Sequence, residues 1–146
     1  MESFSRELIN SGFATSDTIR GCDPDEIARV LAPAGFPVPA EYHAFLACMG
    51  KQAGTLFQGT DLFYPQMLDA WEAAGDIAGQ ELSLADRFFF GHRQGYKVYF
   101  FEPGSAAVHC YQEGIPGVRA LADDFLAFLR RSWAVQQSIR EATQAI

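Results

Sequence analysis

Cysteine is scarce: Cys22, Cys48 and Cys110 are odd in number, widely spaced and without a CxxC pair. Such spacing suggests neither a disulfide framework nor a zinc knuckle, and reduced thiols fit best. Positive charge is also in short supply, with 11 Lys and Arg against 18 Asp and Glu and a net charge of −7. Holding phosphate requires clustered cations that release counterions, so nucleic acid is not the expected partner. An acidic surface favours a basic protein instead. Long apolar runs are missing, since no stretch approaches the ~18–20 residues of a membrane span. Glu2, Arg6 and Glu7 occupy the place where a signal peptide needs apolar residues. The expected setting is the cytoplasm, with no membrane partner.

Catalytic signatures are absent as well. The chain has no HExxH, GxSxG, P-loop or GxGxxG in strand–helix context. His43 falls on the polar side of an amphipathic segment, and His92 in the HRQG turn reads as an exposed polar residue. His109 and Cys110 are neighbours on a strand and must point to opposite faces, which prevents a Cys–His dyad between them. The expectation is a non-enzyme that needs no cofactor and no metal.

What the sequence does have is aromatic bulk. At 146 residues it has one domain's length, and 13 Phe with 14% aromatic residues point to a core of large flat side chains. Residues 1–21 read as an N-terminal extension in which Phe4, Leu8, Ile9 and Phe13 suit a short amphipathic helix, and residues 22–146 as a single domain. In CDPDEIARVLAPAG the start signals agree: Asp23 as N-cap, Pro24 at the first helical position and Glu26 placed to reach back. Ile27, Val30, Leu31 and Ala34 would be its buried side. In FPVPAEYHAFLACMG, Pro39 opens a helix, Tyr42, Phe45, Leu46 and Met49 recur on one stripe, and Gly50 suits a left-handed C-cap.

Further on, GTLFQGTDLFYP reads as two short strands broken at Gly59. PQMLDAWEAAGD reads as a helix from Pro65 to Gly75, with Leu68 and Trp71 on one side. The segments RFFFG, YKVYFFE and AVHCYQ predict an antiparallel meander joined by the short loops HRQG and PGSA. ALADDFLAFLRRSWAVQQSIREA predicts a long closing helix buried along Leu121, Phe125, Phe128, Leu129 and Trp133. The sum is an α+β domain, a central antiparallel sheet packed against helices.

Charge is concentrated in the middle. Asp61, Asp69, Glu72, Asp76, Glu81 and Asp86 stand against Arg87 alone between Phe57 and Phe90. Helical spacing gathers Asp69, Glu72 and Asp76 along one side, with Glu81 nearby, and these four are the candidate partner-binding residues. A solvated face that serves only solubility has the same appearance.

The order of V-P-A-E-Y-H-A-F-L, M-G-K, the FFFG…GYKVYFF hairpin and ALADDFLAFL resembles the Smi/Knr-type family, the SUKH superfamily, over about Cys22 to Ser132. Val38, Pro39, Tyr42, Phe45 and Leu46 fall on that family's Leu-Pro-x-x-Tyr-x-x-Phe-Leu segment. Leu121, Ala122, Phe125, Phe128 and Leu129 fall on its closing helix. Met49, Gly50 and Lys51 stand where members commonly show Asn-Gly-Gly, and Leu31 where the first helix often carries an acid. The resemblance implies a SUKH-like α+β domain whose motif residues specify the fold. It also implies a non-catalytic role: bacterial members look like immunity proteins that bind and neutralise polymorphic or contact-dependent toxins. The alternatives are a regulatory scaffold docking a cellular protein and a small-molecule binder using a sheet-side cleft.

Overall fold

The computed structural model of the chain describes residues 1–144. Local start signals translate directly into helices. Helix α1 is Glu2–Asn10, with Phe4 and Leu8 buried and Phe13 buried just beyond its end. A two-residue strand β1, Ile19–Arg20, follows. Helix α2 is Pro24–Leu31, where Glu26 N–H donates to Asp23 Oδ1 at 2.8 Å and Asp23 N–H donates to Glu26 Oε1 at 2.9 Å. These bonds satisfy two backbone donors that a bare helix start would leave unpaired. Of its expected apolar side, Val30 is buried, while Ile27, Leu31 and Ala34 are half-buried against the same core.

Helix α3, Ala40–Met49, buries Tyr42, Phe45, Leu46 and Met49, the four residues of the predicted stripe. Its end differs from expectation. Gly50 has φ −65° and ψ −13°, a right-handed conformation open to any residue. The reason for glycine is space: a Cβ at Gly50 would stand 2.7 Å from Cys22 Sγ and 2.7 Å from Leu46 O. Gly21 is tighter still, with a Cβ 1.9 Å from Ala47 O. Chain segment 20–22 thus lies directly on the end of α3, and Cys22 N–H donates to Leu46 O at 2.8 Å. Strand β2, Gln52–Ala53, then pairs antiparallel with β1.

The two strands expected between Gly54 and Pro65 do not form. Gly54, Phe57 and Gly59 take φ of 59°, 61° and 81°, so the segment turns repeatedly instead of extending. One bridge remains, where Asp61 N–H donates to His92 O at 2.8 Å on the outer edge of the main sheet. The next helix also departs at both ends. Gln66–Asp69 is a 3-10 turn, and α4 proper is Ala70–Ile77, running through Gly75. A glycine inside a helix weakens it without stopping it when the flanking residues are packed. Ala73 and Ala74 supply that packing.

The main sheet comprises β3 (Phe88–Arg93), β4 (Lys97–Phe101), β5 (Val108–Gln112) and β6 (Ile115–Ala122), an antiparallel meander in sequence order. The first three match expectation, and the fourth was not foreseen. Ala120 and Ala122 pair with His109 and Val108. Those residues, with Leu121, therefore belong to a strand and not to the closing helix. Helix α5 runs over Phe125–Gln144, and Asp124 opens it: Ala127 N–H donates to its Oδ1 at 2.7 Å. β6 is an exposed edge, blunted by Pro116, Gly117 and Arg119.

Helices lie on both faces of the sheet. On one face Phe88, Phe90, Tyr99, Phe101, Val108 and Cys110 meet buried residues of α1, α2, α3 and α5. On the other, Phe89, Val98, Phe100 and Tyr111 meet Ala70, Ala73 and Ala74 of α4. Phe90, two residues after Phe88, shares the first face and stacks on Phe101 at 4.5 Å, while a bulge between Phe89 and Gly91 leaves Phe90 out of the ladder and pairs Gly91 with Tyr99. Among the described residues no helix is long and apolar enough to cross a membrane.

Candidate functional site

Two surfaces of opposite charge lie on opposite sides of the sheet. The first is the outward side of α4. Its inward side is Ala70, Ala73 and Ala74, packed on the cluster of Phe89 and Phe100 with Trp71 and Ile77 half-buried beside them. The opposite side must then face water. Asp69, Glu72 and Asp76 are all exposed there, and none forms an ion pair among the described residues. Asp69 ends the 3-10 turn and precedes α4, while Glu72 and Asp76 lie within the helix. Glu81 is placed differently. It sits on the exposed loop after α4, and its Oε2 accepts a hydrogen bond from Gly117 N–H at 3.3 Å. That bond ties the loop to β6 at the margin of the stripe.

His92, His109, Cys22 and Cys110 are buried or held by neighbours within the fold, and His43 is not. His43 is exposed on α3. His92 is not in an exposed turn: it lies within β3, is 9% exposed, and its Nε2 is 3.3 Å from Asp61 Oδ2. The bridge between Asp61 and β3 closes over it, a long-range contact that the turn-like HRQG run does not reveal. His109 stacks on Phe100 at 5.7 Å and reaches Glu102 at 3.2 Å on the α4 face, whereas Cys110 is buried in the opposite core. Cys22 is buried at the end of α3, and burial, reinforced by the Glu26 carboxylate, pushes its thiol up to about 11. No group of three or more His, Cys, Asp or Glu is arranged to hold a metal ion among the described residues.

The second surface is a groove of about 410 Å³ between α5, the 57–60 turn, the end of the β3–β4 hairpin and β6. Its floor is aromatic. Phe57 stacks on Phe128 at 5.5 Å, and Tyr99 meets Phe128 at 5.6 Å. Burial, with the Cys110 thiol nearby, holds the Tyr99 phenol above its ordinary value, so it stays protonated. The rim is cationic: Arg93 and Lys97 flank the hairpin turn, and Arg131 projects from α5. Arg131 Nη1 donates to Leu121 O at 2.6 Å, which fixes the guanidinium at the groove edge.

The turn forming one wall is held from a distance. Gln136 of α5 accepts a hydrogen bond from Phe57 N–H at 3.0 Å through its Oε1 and donates from Nε2 to Thr55 O. Phe57 needs that support, because an aromatic residue at φ 61° costs about 1–3 kcal/mol. Residues that pay such strain concentrate where a surface has a task.

The groove was not anticipated from sequence. Its cations come from a hairpin and a helix 34 or more positions apart in the chain, and of its aromatic lining Tyr99 and Phe128 are buried core residues beside the half-buried Phe57. The pair Arg93 and Lys97 bracketing a turn was the only local signal. No protein-family model matches the chain, and a search of curated proteins finds no match.

Proposed function

We propose that the chain is a non-catalytic protein-binding domain of SUKH type, an immunity protein that binds and neutralises a cognate toxin domain carrying a basic surface. The observation that carries this reading is the stripe of Asp69, Glu72 and Asp76, exposed together and without ion pairs among the described residues on an element anchored by alanines. Unpaired carboxylates on a rigid element make a field that a cationic active site would feel before contact, which raises the encounter rate. The residues that carry the family resemblance, Tyr42, Phe45 and Leu46 among them, are buried, so recognition falls to surface such as this.

The test is kinetic. A partner is first isolated by co-purification with the product of the adjacent gene, and association is then followed at two salt concentrations. The variant Asp69→Asn, Glu72→Gln, Asp76→Asn should bind about tenfold more slowly at low salt and show a flatter salt dependence. Its stability should stay within about 1 kcal/mol of the parent, since exposed charges contribute little to folding. An unchanged association rate at low salt would remove the stripe from the interface, and failure to protect against any toxin would remove the immunity role.

A further inference from the structure

The cationic groove on the other face of the sheet calls for a different ligand. The chain has 11 Lys and Arg in all, and its net charge is −7. Arg6, Lys51, Arg87 and Arg130 are paired with carboxylates, whereas Arg20, Arg29, Arg119 and Arg140 stand without an ion pair among the described residues and apart from the groove lining. Arg93, Lys97 and Arg131 converge on one groove with no acidic residue lining it and no carboxylate partner among the described residues. In so acidic a protein, gathering three unneutralised cations works against general solvation of charge and needs a local reason.

Three further features define what would fit. The floor of Phe57, Tyr99 and Phe128 is apolar, with Tyr99 supplying one protonated hydroxyl. The α5 wall carries Val135 and Ile139, exposed at 54% and 63%. The volume, about 410 Å³, lies in the range of about 300–1,000 Å³ that encloses a small organic molecule. Guanidinium groups present paired donors that match the oxygens of a carboxylate or phosphate, and an aromatic floor accepts a flat or aliphatic body. We propose that this groove binds a small amphiphilic organic anion, its carboxylate or phosphate held by Arg93, Lys97 and Arg131 and its apolar body laid against Phe57, Val135 and Ile139. The strained Phe57, held in place by Gln136, is then explained as the price of a preformed floor.

The experiment is a titration of the ¹⁵N-labelled full chain, followed by NMR, with 2-naphthoate and decanoate as anions and 2-naphthylmethanol as the neutral counterpart. The expected result is that amides of residues 55–60, 93–99 and 128–139 shift together with either anion. The naphthoate should bind about tenfold more tightly than the alcohol. Arg131→Gln should remove that preference, and Lys97→Gln, which leaves the Leu121 contact in place, should weaken it in a chain whose thermal melt is unchanged. Equal affinity for anion and alcohol, shifts centred elsewhere, or no shifts up to about 10 mM would overturn the proposal. The Asp69→Asn, Glu72→Gln, Asp76→Asn variant should bind the anions as the parent does, so the outcome here is separate from that of the toxin-binding test.

Discussion

The two faces of the sheet are covered in contrasting ways. On one, rings interlock: Phe90 meets Tyr42, Phe101, Phe125 and Phe128, and Tyr42 also packs edge-on to Phe88 and Phe125. On the other, α4 approaches through Ala70, Ala73 and Ala74, and Phe89 touches Trp71 and Phe100. Large rings fill space at a distance, whereas alanines let a helix come close while committing little of its own surface. The first arrangement specifies the fold. The second leaves a short helix whose other residues are free to carry charge, which is why the carboxylate stripe and the core do not compete for positions.

That contrast can be broken most sharply at adjacent residues. Phe90→Ala should cost about 5 kcal/mol and Phe89→Ala nearer 3 kcal/mol in denaturant unfolding, since the first opens a cavity among rings that cannot collapse onto it. Equal losses, or the reverse order, would mean that both faces contribute alike. Next in size, Ala74→Leu should cost about 1–3 kcal/mol by overpacking the close approach of α4. Amide exchange should speed up in α4 while the amides of α3 remain protected, and a uniform loss of protection would deny that α4 is the more weakly held element.

Gly50 offers a finer cut on the aromatic side. Because its backbone is right-handed and its Cβ space is occupied, Gly50→Ala should cost about 1–2 kcal/mol. Gly50→Asn should be worse. A left-handed cap would give the opposite order, because asparagine tolerates that conformation.

The smallest effect belongs to the rim of the same side, where Lys51 Nζ lies 2.7 Å from Glu26 Oε2. The Asp23 backbone N–H, and then Lys51, hold the Glu26 carboxyl below its ordinary value near 4.5. A depressed folded-state value stabilises the protein above 4.5 and the gain fades as pH falls through it. The melting temperature of Glu26→Gln should therefore lie slightly below the parent's at neutral pH and converge with it in acid. A gap that persists in acid would assign the effect to packing.

Much of this architecture was legible because it is written in short-range rules. The Asp23–Glu26 box, the Tyr42-to-Met49 stripe and the three Phe-rich strands each depend on residues a few positions apart. The failures share a cause as well. Phe57 and Leu62 have strand-like side chains, yet their backbone is set by contacts with α5 and β3, far away in sequence. Ala120–Ala122 looked helical by composition and became strand because β5 offered open backbone groups to pair with. Of the candidate site, exposure of Asp69, Glu72 and Asp76 followed from helical spacing, but the tie of Glu81 to Gly117 and the whole cationic groove needed the third dimension.

The Gln136 clasp has a consequence in time. It joins Phe57 to a residue 79 positions later, and Arg131 and Phe128 arrive on the same late helix. As a chain made from its N-terminus emerges, the acidic stripe of α4 can take shape as soon as β3–β5 are available. The groove has no second wall until α5 docks. A ribosome-bound chain halted before α5 would thus carry the carboxylate stripe together with Arg93 and Lys97, but would lack Arg131, Phe128 and the wall that makes a groove of them, so the stripe would precede the completed groove.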